Sequence, residues 1–233
     1  MGERVSFRSN GEGAAGYLAL PPAGSGPGVL VIQEWWGLVP HIEDVADRLA
    51  ATGFVALAPD LYHGTSTREP DDAMKLLMGM AMDRAAKDIA GAATSLIART
   101  ECSSDQVGCV GFCMGGSLAL WSATLCPEVN ATVAFYPGMP WDRLQPSWSA
   151  YDGKAAVIHT DEHEGGSAAD GIQQAARAIE AAGGAVTLYD YPGTSHAFFN
   201  DTRPEVYDEE AAGLAWQRTV EFFGARLGGG PRS

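Results

Sequence analysis

Gly111-Phe112-Cys113-Met114-Gly115-Gly116 follows the apolar run Val107-Gly108-Cys109-Val110 and leads straight into the helix-patterned segment Met114–Leu125. A cysteine set between glycines at a strand-to-helix junction sits on a sharp turn. Residues two before and two after it crowd the backbone, so only small side chains fit there. The helix N-terminus beneath Cys113 supplies positive potential, which favours thiolate over thiol and later favours an oxyanion. The pattern predicts an accessible, activated thiol held on a nucleophile elbow, with Cys in place of Ser.

Working outward, short β-rich runs alternate with longer segments of helical period, as in a mainly parallel sheet covered by helices. Strands are expected at Val5–Arg8, Ala14–Leu20, Gly28–Gln33, Val55–Ala58, Gln106–Val110, Ala131–Tyr136, Ala155–His159 and Val186–Tyr191. Asn10-Gly11 is a hairpin-type turn, so the sheet begins antiparallel and becomes parallel. Helices are expected at Ile42–Thr52, which Gly53 ends, at Met114–Leu125, at Ser167–Ala182 and at Glu205–Leu227. A long segment of helical period, Asp71–Thr100, carries Met74, Leu76, Leu77, Met78, Met80 and Met82, which read as core packing rather than as a cofactor box. The expectation is an α/β-hydrolase fold, a mostly parallel eight-stranded sheet with helices on both faces. It forms a single domain over residues 1–227, with a disordered tail over 228–233.

An elbow nucleophile needs a histidine after the last strand, with an acid between the two in chain order. Of the five histidines, only His196, in Asp190-Tyr191-Pro192-Gly193-Thr194-Ser195-His196, lies after the final strand. The loop after the seventh strand, His159-Thr160-Asp161-Glu162-His163-Glu164, offers three candidate acids. The same cluster invites a metal reading, but it lacks any recognised ligand spacing, so no metal site is expected. After the third strand comes Gln33-Glu34-Trp35-Trp36-Gly37, where the backbone amide of Trp35 pairs with that of Met114 as the expected oxyanion hole.

The 233 residues carry 15 Lys plus Arg against 29 Asp plus Glu, a net charge of −14. Such a surface repels phosphate backbones and anionic headgroups, so neither nucleic acid nor a membrane surface is an expected partner. No apolar run approaches the ~20 residues of a membrane span, and no secretory signal pattern is visible, which points to the cytoplasm. Cys102, Cys109 and Cys126 form no C-x-x-C pair with one another or with Cys113, and they read as free core thiols.

With these residues in view, the chain resembles the dienelactone hydrolase family. The resemblance rests on four motifs in order: Gln33-Glu34-Trp35-Trp36-Gly37, Pro59-Asp60-Leu61-Tyr62, the Gly111–Gly116 elbow, and Gly193-Thr194-Ser195-His196-Ala197-Phe198. It implies hydrolysis of a small-molecule ester or lactone through a Cys113-His196-acid triad and a thioester, without a cofactor, in a monomer or homodimer. It also implies that Glu34 contacts the Cys113 thiol in the resting enzyme, and that Trp36, Tyr136, Phe198 and Asn200 line the substrate pocket. Asn200 stands where dienelactone-cleaving members carry an arginine. Laying the family's loop on His159 makes Glu164 the triad acid, with Asp161 following the strand too early to reach His196 and Glu162 facing away. A general carboxylesterase or thioesterase, and a catalytically silent thiol-bearing binding module, are the rival readings.

Overall fold

The computed structural model describes residues 2–9, 11–138, 143–162 and 167–228. Eight strands form one sheet: β1 (Glu3–Ser9), β2 (Glu12–Ala19), β3 (Gly26–Ile32), β4 (Val55–Pro59), β5 (Cys102–Phe112), β6 (Val129–Phe135), β7 (Ala155–Asp161) and β8 (Ala185–Tyr191). Their order across the sheet is β1-β2-β4-β3-β5-β6-β7-β8. The pairs β1·β2 and β2·β4 are antiparallel, and every later pair is parallel. The hairpin turns where expected, with Ser9 opposite Glu12 and Gly11 at φ +87°.

Among the described residues six α-helices cover the sheet: α1 (Pro40–Ala51), α2 (Pro70–Gly79), α3 (Met82–Ile97), α4 (Met114–Leu125), α5 (Ser167–Ala181) and α6 (Glu209–Leu227). Alternation along the central strands sorts side chains between two cores. Leu30 and Ile32 of β3 join Val107 and Cys109 of β5 under α3 and α4. Val29 and Val31 join Val110 and Phe112 under α1 and α6. Burial on both faces explains why these strands read as continuous apolar runs. Among the described residues no helix is long and apolar enough to cross a membrane.

Three expectations need correction. The Asp71–Thr100 segment is two helices, because Met80 turns to an extended conformation (φ −62°, ψ 125°). The Arg143 guanidinium holds the break by donating to the carbonyls of Leu77 at 2.8 Å and Met78 at 3.2 Å, and also to that of Met80. Its methionines are not uniformly core. Met80 is buried, whereas Met74 and Met78 are 47% and 63% exposed on the outer face of α2. The last helix starts at Glu209 rather than Glu205, because the Asp208 carboxylate caps it by accepting the Ala211 amide at 2.9 Å. The expected tail lies outside the described residues apart from Gly228.

Candidate active site

At the C-terminal edge of the sheet, β5 ends at Phe112 and α4 begins at Met114, leaving Cys113 alone on the turn at φ +55°, ψ −119°. Its amide donates to Phe135 O at 3.0 Å, and its carbonyl accepts the amide of Gly116 at 2.9 Å. The surrounding glycines are sterically required. A Cβ on Gly111 would stand 1.9 Å from Gly115 O, one on Gly115 2.4 Å from Gln33 O, and one on Gly116 2.8 Å from Phe135 O. The close approach at Gly115 presses the start of α4 against the end of β3. That brings the Met114 amide, at the first helical position, towards the loop carrying Trp35.

A non-glycine residue held at such a φ, ψ costs about 1–3 kcal/mol. Cys113→Gly is therefore expected to stabilise the fold by about 1 kcal/mol, a melting temperature higher by roughly 2–4 °C. A calorimetric scan of the two proteins checks this, and an unchanged or lower melting temperature would show that the elbow is unstrained.

Asp161, the last residue of β7, is buried, and its Oδ2 lies 3.3 Å from His196 Nδ1. His196 reaches it from a loop of successive turns after β8, where Phe198 N donates to Ser195 O at 3.0 Å and Asn200 N to Ala197 O at 2.9 Å. The Cys113 side chain also acts on the His196 ring. Burial lowers the His196 pKa, but the hydrogen bonds and charges of Asp161 and Cys113 outweigh it and push the imidazole up to about 10.

The expectation that Asp161 falls too early is thus corrected. The strand continues two residues beyond His159, and Asp161 pairs in register with Tyr191. Its carboxylate therefore emerges at the sheet edge beside His196. Glu162 accepts the Gly193 amide. Glu164 lies outside the described residues. His159 is a satisfied core histidine, 2.9 Å from the Tyr191 hydroxyl through Nδ1 and 3.2 Å from Thr219 Oγ1 through Nε2.

Glu34 is buried behind this group, and burial pushes its carboxyl pKa up, opposed by the nearby charge of His196, the Asn200 hydrogen bond and the charge of Arg203. Asn200 Nδ2 donates to Glu34 Oε2 at 3.1 Å, and the Thr202 amide and hydroxyl donate to Asn200 Oδ1 at 3.1 Å and 2.6 Å. Those two donors fix the orientation of the Asn200 amide. Glu34 accordingly takes a hydrogen bond from Asn200 through Oε2. The Tyr136 ring is fully buried 4.9 Å from His196, edge on, and its hydroxyl has no hydrogen-bond partner among the described residues.

Phe198 does not present itself to a pocket. It is fully buried against Tyr136 and Tyr191, at centroid distances of 5.5 Å and 4.9 Å, and packs beneath the histidine loop. Trp36 and Asn200 line a cavity of about 470 Å³, together with His41, Arg68 and Arg203. Arg203 stacks over Trp36 at 6.0 Å. Tyr62, whose hydroxyl donates to Met114 Sδ at 3.4 Å, lies near enough to Cys113 to feel its charge. The Pro59-Asp60-Leu61-Tyr62 motif already marked this loop. Its Asp60 acts as a turn former, accepting the amides of Tyr62 at 3.1 Å and Gly64 at 2.6 Å. Gln33 Oε1 accepts the Leu61 amide at 3.1 Å and ties that loop to the one carrying Glu34.

The sheet order, the crossover helices and a strained residue on the β5–α4 turn define an α/β-hydrolase fold. The profile of the dienelactone hydrolase family matches residues 14–227. A protein of Aquifex pyrophilus called Protein usf is 38% identical over 237 residues, covering 96% of this chain and 98% of its own. A protein of Aquifex aeolicus, provisionally named carboxymethylenebutenolidase, is 35% identical with the same coverage of both chains. The crystal structure of a protein of Klebsiella pneumoniae, provisionally described as a dienelactone hydrolase, superposes with a TM-score of 0.85 at 26% identity, covering 96% of this chain and 98% of that one. The chain belongs to the dienelactone hydrolase family, and so to the ester- and lactone-cleaving hydrolases.

Proposed function

We propose that the protein hydrolyses small esters or lactones with Cys113 as nucleophile, His196 as proton carrier and Asp161 as the acid that orients His196. The single observation carrying this reading is that the imidazole of His196 lies 3.3 Å from the buried Asp161 carboxylate and has its pKa raised by that carboxylate and by the elbow thiol. The thiolate adds to the substrate carbonyl, and the amides of Trp35 and Met114 stabilise the oxyanion. Collapse of the tetrahedral species expels the alkoxide, which takes its proton from the His196 imidazolium and leaves an acyl thioester on Cys113. Neutral His196 then removes a proton from water as it attacks the thioester, giving the acid and restoring the thiolate–imidazolium pair. Asp161 keeps the His196 proton on Nδ1 whenever the ring is neutral, so that Nε2 is free to work on sulfur and water.

Glu34 is a buried acidic group facing His196, held in place by Asn200. Because Asn200 brings no charge where an arginine would, it offers a substrate carboxylate only a neutral hydrogen bond. Any cation for a substrate carboxylate on this cavity wall has to come from Arg68 or Arg203 instead. No cofactor or metal enters this reading.

Acid quenching during turnover of 4-nitrophenyl acetate, followed by peptide mass spectrometry, tests the mechanism. The expected result is one acetyl group on Cys113, formed as fast as the first equivalent of nitrophenolate is released. Ester turnover with acetylation at another residue would overturn the assignment.

A further inference from the structure

Among the described residues, four that are not glycine hold a positive φ: His63, Cys113, Tyr136 and Ala197. Three of them belong to the site, since Cys113 is the elbow thiol, Tyr136 packs edge on to His196, and Ala197 follows His196 in the chain. His63, at φ +53°, is the fourth, and the reaction does not use its side chain. Backbone strain of this kind persists only where the surrounding structure over-determines it.

His63 sits in the loop after β4, between Tyr62 and Gly64, and this loop is tied to both elements that carry the proposed oxyanion amides. On the Trp35 side, Gln33 Oε1 accepts the Leu61 amide at 3.1 Å, and the Thr67 amide donates to Trp36 O at 3.0 Å. Gly37 approaches so closely that a Cβ there would stand 2.6 Å from Thr65 O. On the Met114 side, the Tyr62 hydroxyl donates to Met114 Sδ at 3.4 Å. A shift of the loop is therefore passed on to both amides, because close-packed neighbours transmit displacement.

The His63 side chain reaches α3. Its Nε2 lies 3.2 Å from Oδ2 of Asp88, a buried carboxylate. Asp88 lies among residues of α3 that are themselves buried, Ala85, Ile89 and Ala92, so it is a fixed point for the loop. Arg84, on the same helix, has its Nε 3.9 Å from the same Asp88 oxygen. Asp88 therefore keeps a counter-charge when His63 is replaced, and the fold should tolerate the change.

Resting on the hydrolase reading above, we propose that His63 is a positioning residue: by holding the loop after β4 against Asp88 of α3, it keeps the Trp35 and Met114 amides where the tetrahedral oxyanion forms.

The test compares two reactions of one sulfur. Acylation by 4-nitrophenyl acetate builds an oxyanion and needs the two amides, whereas alkylation by iodoacetamide displaces iodide from a saturated carbon and does not. In His63→Gly, whose backbone suits a positive φ, Cys113 acetylation is expected to slow by about tenfold or more, since a small misplacement of catalytic groups is costly. Alkylation of Cys113 should stay within about twofold of the parent, a change that is small on the scale of activation free energies. His63→Gln, which keeps an N–H to offer Asp88, should recover part of the acetylation rate, and melting curves report that each variant is folded. Acetylation within about threefold of the parent in folded His63→Gly, alkylation slowed as much as acetylation, or no recovery in His63→Gln would overturn this proposal alone. Acetylation of a residue other than Cys113 in the parent would overturn the hydrolase reading, and this proposal with it.

Discussion

Cys113→Ala is expected to lower ester and lactone turnover by roughly 10⁴-fold or more while leaving the protein folded. The size of the effect follows from the role proposed for the sulfur, which forms and breaks the covalent bond in both halves of the reaction. The remaining oxyanion amides and His196 can stabilise an attack by water, but they have no substitute nucleophile in place. The fold should survive because Cys113 is half-buried and sits on the turn with its side chain towards the site. Alanine keeps a Cβ at the same positive φ, so this variant should not show the stabilisation expected of Cys113→Gly. The pair of variants thereby separates lost chemistry from relieved strain. Initial rates with 4-nitrophenyl acetate and a small lactone, alongside melting curves, give the answer. Activity above about a tenth of the parent's corresponds to a loss under ~1.4 kcal/mol and is incompatible with covalent catalysis by this residue.

Why the elbow could be read from the chain and the place of Asp161 beside His196 could not is a matter of steric and positional information. Three glycines around Cys113 each have a backbone oxygen where a Cβ would go, so the local sequence records the geometry almost directly. His196 was likewise recognisable, because a loop after the last strand can reach only one edge of a parallel sheet. The acid proposed here, Asp161, depends on where β7 stops. A difference of two residues separates a strand ending at His159 from one ending at Asp161, and the apolar pattern Ala155–Ile158 does not distinguish them. Thr160 and Asp161 are polar yet buried, their strand pairing completed by β8.

The same limit appears in the long segment after Pro70. Helical period ran through Met80 without interruption, and the force that breaks the helix comes from Arg143, more than sixty residues further along the chain. Periodicity also placed Met74 and Met78 in the core when they face solvent, because only the Ala73 face of α2 is covered. Phe198 illustrates a different failure. Its place next to a catalytic motif suggested a ligand contact, whereas its size serves to pack the loop that carries His196. Asn200 was conspicuous in the sequence as a missing cation, and its contact with Glu34 became visible only in three dimensions.

Asp161→Asn is expected to lower kcat by about 10²–10⁴-fold, with Glu164→Gln within about threefold of the parent. An asparagine can offer its amide N–H to His196 Nδ1. That stabilises the neutral tautomer with its proton on Nε2, the nitrogen that must accept a proton from water during thioester hydrolysis. The substitution also removes a negative charge 3.3 Å from the ring.

The second effect has a signature in stability. His196 is raised to about 10 in the folded protein against roughly 6.5 for an unperturbed histidine. A pKa raised by folding contributes stability that is complete below the unfolded value and is lost as pH rises through the folded one. The parent should therefore lose melting temperature between pH 7 and pH 10 through this group. The Asp161→Asn protein, whose His196 titrates lower, should lose less over the same interval. A kcat for Asp161→Asn within threefold of the parent, a change under ~0.7 kcal/mol, together with a collapse in Glu164→Gln, would move the acid to Glu164. Equal pH dependence of stability in parent and Asp161→Asn would show that the Asp161 carboxylate does not support the imidazolium.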